Sequence, residues 1–210
     1  MNNITTTQYD LHITLTAPLL GTQPPKDVAT KYLTSQVLDA ARLPSNVVEV
    51  GDDTVAAADE LETLPELLER GTTAFHTLDG RPILYNYHVK GFLKEAGSVF
   101  NGLRGVKNLR SKIDSLVFVT PRRIELYHDQ PMGILERPLR AMTAQGPRTA
   151  LARSEMLPEG TRFDCLLEVY DGPISHLLLT DLLSYGEKKG LGQWRNSSVY
   201  GTFSFVLVKR

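Results

Sequence analysis

The stretch Gly190-Leu-Gly-Gln-Trp-Arg-Asn-Ser-Ser-Val-Tyr-Gly201-Thr-Phe-Ser-Phe decides how this chain reads. It follows the run Pro173 to Tyr185, which opens with a proline suited to a helix N-terminus and carries Ile174, Leu177, Leu178, Leu182 and Tyr185 on one helical face. It leads into a final strand expected over Tyr200 to Val208. Gly190, Gly192 and Gly201 therefore stand where two regular elements join, and glycine there permits positive φ and close approach of another backbone. They read as breakers that reverse the chain after a helix, and a tight turn of that kind also brings backbone N–H groups near a phosphate. Turned outward, Trp194 and Arg195 offer a stacking face and a charge-assisted hydrogen-bond fork, the pair that single-stranded RNA favours. Burial of Trp194 in a core is the alternative.

Outward from this loop, the chain reads as strands and helices in alternation. Tyr9, Leu11, Ile13 and Leu15 alternate with Asp10, His12, Thr14 and Thr16, which predicts a half-buried strand ended by Pro18 and Gly21. Lys26 to Leu43 and Asp53 to Arg70 have near-helical apolar spacing, and together predict a helical insertion over about 26–70, with a break at Pro65. Asp79-Gly80-Arg81-Pro82 is a turn before a short strand, Ile83 to Tyr85. His88-Val-Lys-Gly-Phe-Leu-Lys-Glu-Ala opens a helix, followed by a loose stretch from Gly97 to Gly105. Ser115 to Thr120 and Arg123 to Tyr127, split by Pro121, read as a hairpin or two short strands. Leu139 to Thr143 and Thr149 to Met156 form a candidate hairpin around Gly146-Pro147, and Phe163 to Val169 is a further strand after the turn at Pro158-Glu-Gly-Thr.

The 210 residues, 41% hydrophobic and 22% charged, suit one large globular domain or one domain with an insertion. No apolar run reaches membrane-spanning length, and the N-terminus lacks the basic start and apolar centre of a secretion signal, so a cytoplasmic protein with no membrane partner is expected. The single cysteine, Cys165, excludes an internal disulfide and a cysteine-rich zinc site, and its alternating strand context predicts a buried thiol. The net charge of −1 conceals segregation: residues 49–70 hold eight acids and one base, net −7, which leaves +6 for the rest. The acidic block reads as a solvated helix face or as a docking face.

Four segments taken in order resemble the RAMP superfamily of CRISPR-associated proteins, especially the backbone subunits of crRNA-guided effector complexes. The first is Leu11-His-Ile-Thr-Leu-Thr-Ala-Pro-Leu-Leu-Gly21, similar to that family's opening strand and its proline and glycine exit. The second is Arg81-Pro-Ile-Leu-Tyr-Asn-Tyr-His-Val-Lys90-Gly91-Phe-Leu-Lys94, similar to the segment where a strand turns into a helix that opens with Lys-Gly. Here Tyr85, Asn86, Tyr87 and His88 stand where the family places proline, glycine and serine. The third runs from Ala150 through Pro158, Gly160 and Phe163, and the fourth is the glycine loop.

The resemblance implies an α+β fold: a ferredoxin-like, RRM-type antiparallel sheet with helices on one face, with helical and β-hairpin insertions, in a single domain over 1–210. It also implies a non-catalytic subunit that binds single-stranded, guide-like RNA and packs beside copies of itself or other effector-complex subunits. Backbone contacts to RNA come from basic side chains. The candidates are Lys90 and Lys94 at the Lys-Gly helix, Arg104, Lys107, Arg110 and Lys112 in the loose stretch, Arg122 and Arg123 between strands, and Lys188, Lys189, Gly190, Gly192, Trp194 and Arg195 at the glycine loop. For each base, ordinary surface charge is the alternative.

Some RAMP proteins cut RNA with a histidine near the chain start or an aspartate before the Lys-Gly helix. His12 and Asp79 occupy comparable places, but no histidine of this chain stands in a recognisable acid-base pair in the sequence. A metal-independent endoribonuclease and a protein-only interaction module, such as a decoy that joins another complex, are the alternatives to RNA holding. No metal ligand set and no cofactor motif stand out.

Overall fold

The computed structural model describes residues 5–23, 72–143, 146–193 and 199–210. The helical insertion expected at 26–70, its acidic block, and Trp194 and Arg195 lie outside the described residues. In chain order the elements are β1 (Thr6–Leu15), β2 (Leu19–Leu20), β3 (Thr72–Thr73), β4 (His76–Leu78), β5 (Arg81–Tyr85) and helix α1 (Asn86–Val99). A 3-10 turn at Leu103–Gly105 precedes α2 (Leu109–Leu116), β6 (Val117–Thr120), β7 (Arg123–Glu125), β8 (Gly133–Thr143) and β9 (Gly146–Leu157). Then come β10 (Arg162–Tyr170), α3 (His176–Ser184), α4 (Gly186–Lys189) and β11 (Phe203–Lys209). The chain divides into two compact units, one of residues 1–22, 75–134 and 155–210, the other of residues 23–74 and 135–154.

The first unit is built on a four-stranded sheet in the order β11-β1-β10-β6, antiparallel throughout. The alternation read in β1 does what period two requires: Tyr9, Leu11, Ile13 and Leu15 are buried, and Phe163, Cys165, Leu167 and Val169 of β10 join them across the register Leu11↔Cys165. Val89, Phe92, Leu93 and Ala96 of α1 and Leu178, Leu179, Leu182 and Leu183 of α3 belong to the same hydrophobic cluster, so both helices cover this face. The even-numbered residues form the opposite, outer face, where Val206, His12 and Asp164 stand in one row. Burial pushes the Cys165 thiol up to about 12, which leaves it a packing group at neutral pH.

Around this sheet, β4, β5 and β7 form a three-stranded antiparallel sheet, and Leu19 and Leu20 of β2 pair with Leu157 and Met156 of β9. In the second unit β3 pairs parallel with β9 at Thr72↔Arg153, and β8 pairs with β9, which realises the hairpin expected around Gly146 with longer arms.

The loose stretch expected from Gly97 to Gly105 is corrected. Helix α1 continues through Gly97 to Val99, and a Cβ at Gly97 would lie 2.6 Å from Ile113 Cδ1, so the missing side chain is what lets α1 and α2 pack closely. Arg110 and Lys112 therefore sit on a helix. At α3, Ser175 rather than Pro173 marks the start, its Oγ accepting from the Leu178 N–H at 3.2 Å.

Candidate nucleic-acid interface

The glycine loop is a backbone crossing. Gly190 and Gly201 have φ of 75° and 68°, and a Cβ on either would fall 2.3 Å from Tyr200 O or 2.1 Å from Leu191 O. The Leu191 N–H donates to Gly201 O at 2.8 Å and the Gly201 N–H to Pro18 O at 2.8 Å, so the loop is laced to the exit of β1. Both requirements read from the sequence, positive φ and close approach, hold at these positions.

This crossing delivers Gly192 and Gln193 to the wall of a cleft of about 650 Å³. Gln193 Nε2 donates to Gly21 O at 2.7 Å, which pins the wall beside Thr22. Helix α1 supplies Tyr87, His88, Gly91, Lys94, Glu95 and Ser98, and α2 supplies Arg110. Three segments distant in sequence, namely the β1 exit, the Lys-Gly helix and the glycine loop, thus meet at one concavity. The chain runs from Gln193 directly into Trp194.

The basic candidates divide by what they bond. Lys90 Nζ donates to the carbonyls of Ile113 (2.8 Å), Asp114 (2.9 Å) and Val117, closing the C-terminal end of α2, where a cation complements the helix dipole. Burial pulls this ammonium below the ordinary lysine value. Lys94 pairs with Asp114 at 2.9 Å and, by that bond, holds the carboxyl below its usual range. Arg104 pairs with Asp181 at 2.5 Å, and Lys189, its side chain 14% exposed, pairs with Glu95 at 2.9 Å. Lys107, Arg110, Arg122, Arg123 and Lys188 are exposed, Lys112 is half-buried, and none of the six has an ion pair among the described residues. Of these six, only Arg110 lines the cleft.

Two features were not legible in the sequence. Four rings form a row at the start of α1: His76 meets Tyr85 edge-on at 4.9 Å, Tyr85 stacks on Tyr87 at 5.3 Å with planes 12° apart, and His88 lies 4.5 Å from Tyr87. The departure from small residues at 85–88 was the only signal of it. On the outer sheet face, His12 Nδ1 lies 2.7 Å from Asp164 Oδ1, which corrects the expectation that no histidine stands in an acid-base pair. The partners are 152 residues apart and are joined by strand register alone. Beside them Arg210 grips Asp10 through three contacts of 2.7–3.0 Å, which lowers the Asp10 carboxyl and raises the guanidinium. His128 bonds Gln130 O at 2.7 Å in its turn. Among the described residues no group of three His, Cys, Asp or Glu is placed to hold a metal, and no helix is long and apolar enough to cross a membrane.

No protein-family model and no curated protein matches the sequence. Among solved structures the chain is similar to one in the "Cryo-EM structure of the Type III-B Cmr-beta bound to cognate target RNA", with a TM-score of 0.52 and 13% identity over 97% of this chain and 61% of that one. A chain of a "Type IV-B CRISPR Complex" aligns at a TM-score of 0.45 and 14% identity over 96% of this chain and 90% of that one. The chain spans 61% of the length of the type III-B chain it matches. The expected resemblance is borne out as a fold shared with a chain of that type III-B complex, and this chain is α+β with largely antiparallel sheets.

Proposed function

We propose that this protein is a non-catalytic, RAMP-type subunit that holds single-stranded RNA and packs side by side with other subunits of a ribonucleoprotein complex. Its β-α-β-β-α-β order with sheet order β11-β1-β10-β6 reads as a ferredoxin-like, RRM-type core, and residues 23–74 and 135–154 as insertions into it. The observation that carries the reading is the cleft: the Lys-Gly helix, an exposed Arg110 and the glycine loop converge there on a fold shared with a chain of an RNA-bound effector complex. A concave site with a guanidinium aimed at solvent and backbone turns along its wall suits a phosphate backbone. The side-by-side partner is a copy of this chain or another effector subunit, with the acidic block at 49–70 as a docking face for a basic neighbour.

The test is the absorbance ratio at 260 and 280 nm, with size-exclusion mass, of protein purified at low salt before and after ribonuclease treatment. A large, nucleic-acid-rich species that collapses to about one chain supports the reading, and salt should dissociate it steeply. Protein free of nucleic acid that binds no added single-stranded RNA overturns it.

The His12–Asp164 pair favours a second reading, a metal-independent endoribonuclease in which a carboxylate orients a histidine for general acid-base attack by the RNA 2′-hydroxyl. Cleavage of single-stranded RNA that disappears in His12→Ala supports it, and RNA left intact by the wild type removes it. Asp79 occupies a positive-φ turn with Gly80, and Asp79→Ala tests its part in the same assay.

A further inference from the structure

We infer that the ring row His76, Tyr85, Tyr87 and His88 is a stacking platform for an unpaired base at the mouth of the cleft. The inference rests on the RNA-holding reading and assigns where that RNA places its bases.

Burial does not account for these rings. None of the four belongs to the hydrophobic cluster that Val89, Phe92, Leu93 and Ala96 of the same helix join, and Tyr87 is 56% exposed. Yet Tyr87 is not loose. It is stacked on Tyr85, His88 lies 4.5 Å away with its plane tilted by 39°, and its helix start is anchored by Asn86, whose Nδ2 donates to Val119 O at 2.7 Å and whose N–H donates to Arg122 O at 3.0 Å. An exposed aromatic surface held in place before any ligand arrives loses little freedom on binding, which favours affinity.

The neighbouring charges fit a strand that carries both phosphates and bases. Tyr87 and His88 line the same cleft as Arg110, so π surface and an exposed guanidinium border one volume. Within the row, Tyr85 stands opposite Arg123 in the β5–β7 register, with Arg122 next to Arg123 in the chain. Cations thus accompany the rings both in the cleft and at the β5–β7 register. Stacking on an aromatic face is tolerant of base identity, so the platform contributes without reading sequence.

The experiment measures binding of the full chain to two dye-labelled oligoribonucleotides of equal length, one carrying adenines and one with abasic riboses at every position. The wild type should bind the adenine strand about 5- to 100-fold more tightly than the abasic one. Tyr87→Ala should remove most of that difference and leave abasic binding unchanged, and Tyr87→Phe should retain it. A 2-aminopurine in the adenine strand should be quenched by the wild type and not by Tyr87→Ala. Equal wild-type affinity for both strands overturns the platform while leaving the RNA reading intact, and needs no variant to fold. So does a loss in Tyr87→Ala that is the same for both strands. Failure of the wild type to bind either strand overturns the platform and the RNA reading together.

Discussion

The outer face of the four-stranded sheet and the cleft beside α1 are both polar surfaces of one unit, yet their charges are used differently. On the sheet face each base has a carboxylate: His12 meets Asp164, Arg210 meets Asp10, and Arg162 reaches Asp129 at 3.3 Å. Exposed Val206, Val208 and Phe118 lie among them. In the cleft Lys94 pairs with Asp114, whereas Arg110 makes no ion-pair contact among the described residues, acts on Asp114 only at longer range, and shares the cleft with the exposed ring of Tyr87. The lesson is that a count of bases does not locate an anion site. A cation already held by a carboxylate gains little from a phosphate, because the new contact replaces an old one and adds desolvation.

The largest expected effect comes from breaking the cleft wall. Gly201→Val places a branched side chain on a residue at φ 68° and 2.1 Å from a carbonyl oxygen, so a loss of about 4 kcal/mol or more is expected, read as low soluble yield and a collapsed melting temperature. Next, Lys90→Ala tests whether a lysine that sequence reasoning assigned to RNA is instead a helix clasp. Removing a part-buried ammonium from three carbonyls at the end of α2 should cost about 2–3 kcal/mol in denaturant unfolding. Weakened RNA binding with unchanged stability would reverse that assignment.

Arg110→Glu sharpens the comparison directly. It should lower affinity for single-stranded RNA by about tenfold, about 1.4 kcal/mol, with the melting temperature unchanged. An equal loss from reversing charges on the sheet face would show that the two surfaces are not distinct. The smallest effect belongs to His12→Gln: its partner is exposed and the pair is solvent-screened, so stability should shift by less than about 0.5 kcal/mol and RNA affinity not at all. Acid should act on the same face through Asp10. Its carboxyl is lowered by Arg210, so the contribution is present above the ordinary aspartate range and fades as pH falls through the depressed value, a change read by melting temperature against pH.

Much of the frame was legible because its signals are local. The alternation Tyr9, Leu11, Ile13, Leu15 encodes which face of β1 is buried, since successive side chains of a strand point to opposite sides. The glycines of the terminal loop announced positive φ and close approach without reference to what approaches. The site was legible only in outline. Lys90, Lys94, Arg104 and Lys189 look in the sequence like Arg110, and they differ from it in bonding directly to Ile113, Asp114, Asp181 and Glu95.

By itself, then, the amino-acid sequence determined the strand faces, the two covering helices and the points where the backbone must reverse, because each depends on a residue and its near neighbours. The tertiary structure alone decided which charges are neutralised and which remain for a ligand, that His12 meets Asp164, and that α1, Arg110 and the glycine loop share a cleft. Those outcomes depend on register and on helix-to-sheet packing, which bring together residues up to 200 positions apart, and no local pattern encodes that distance.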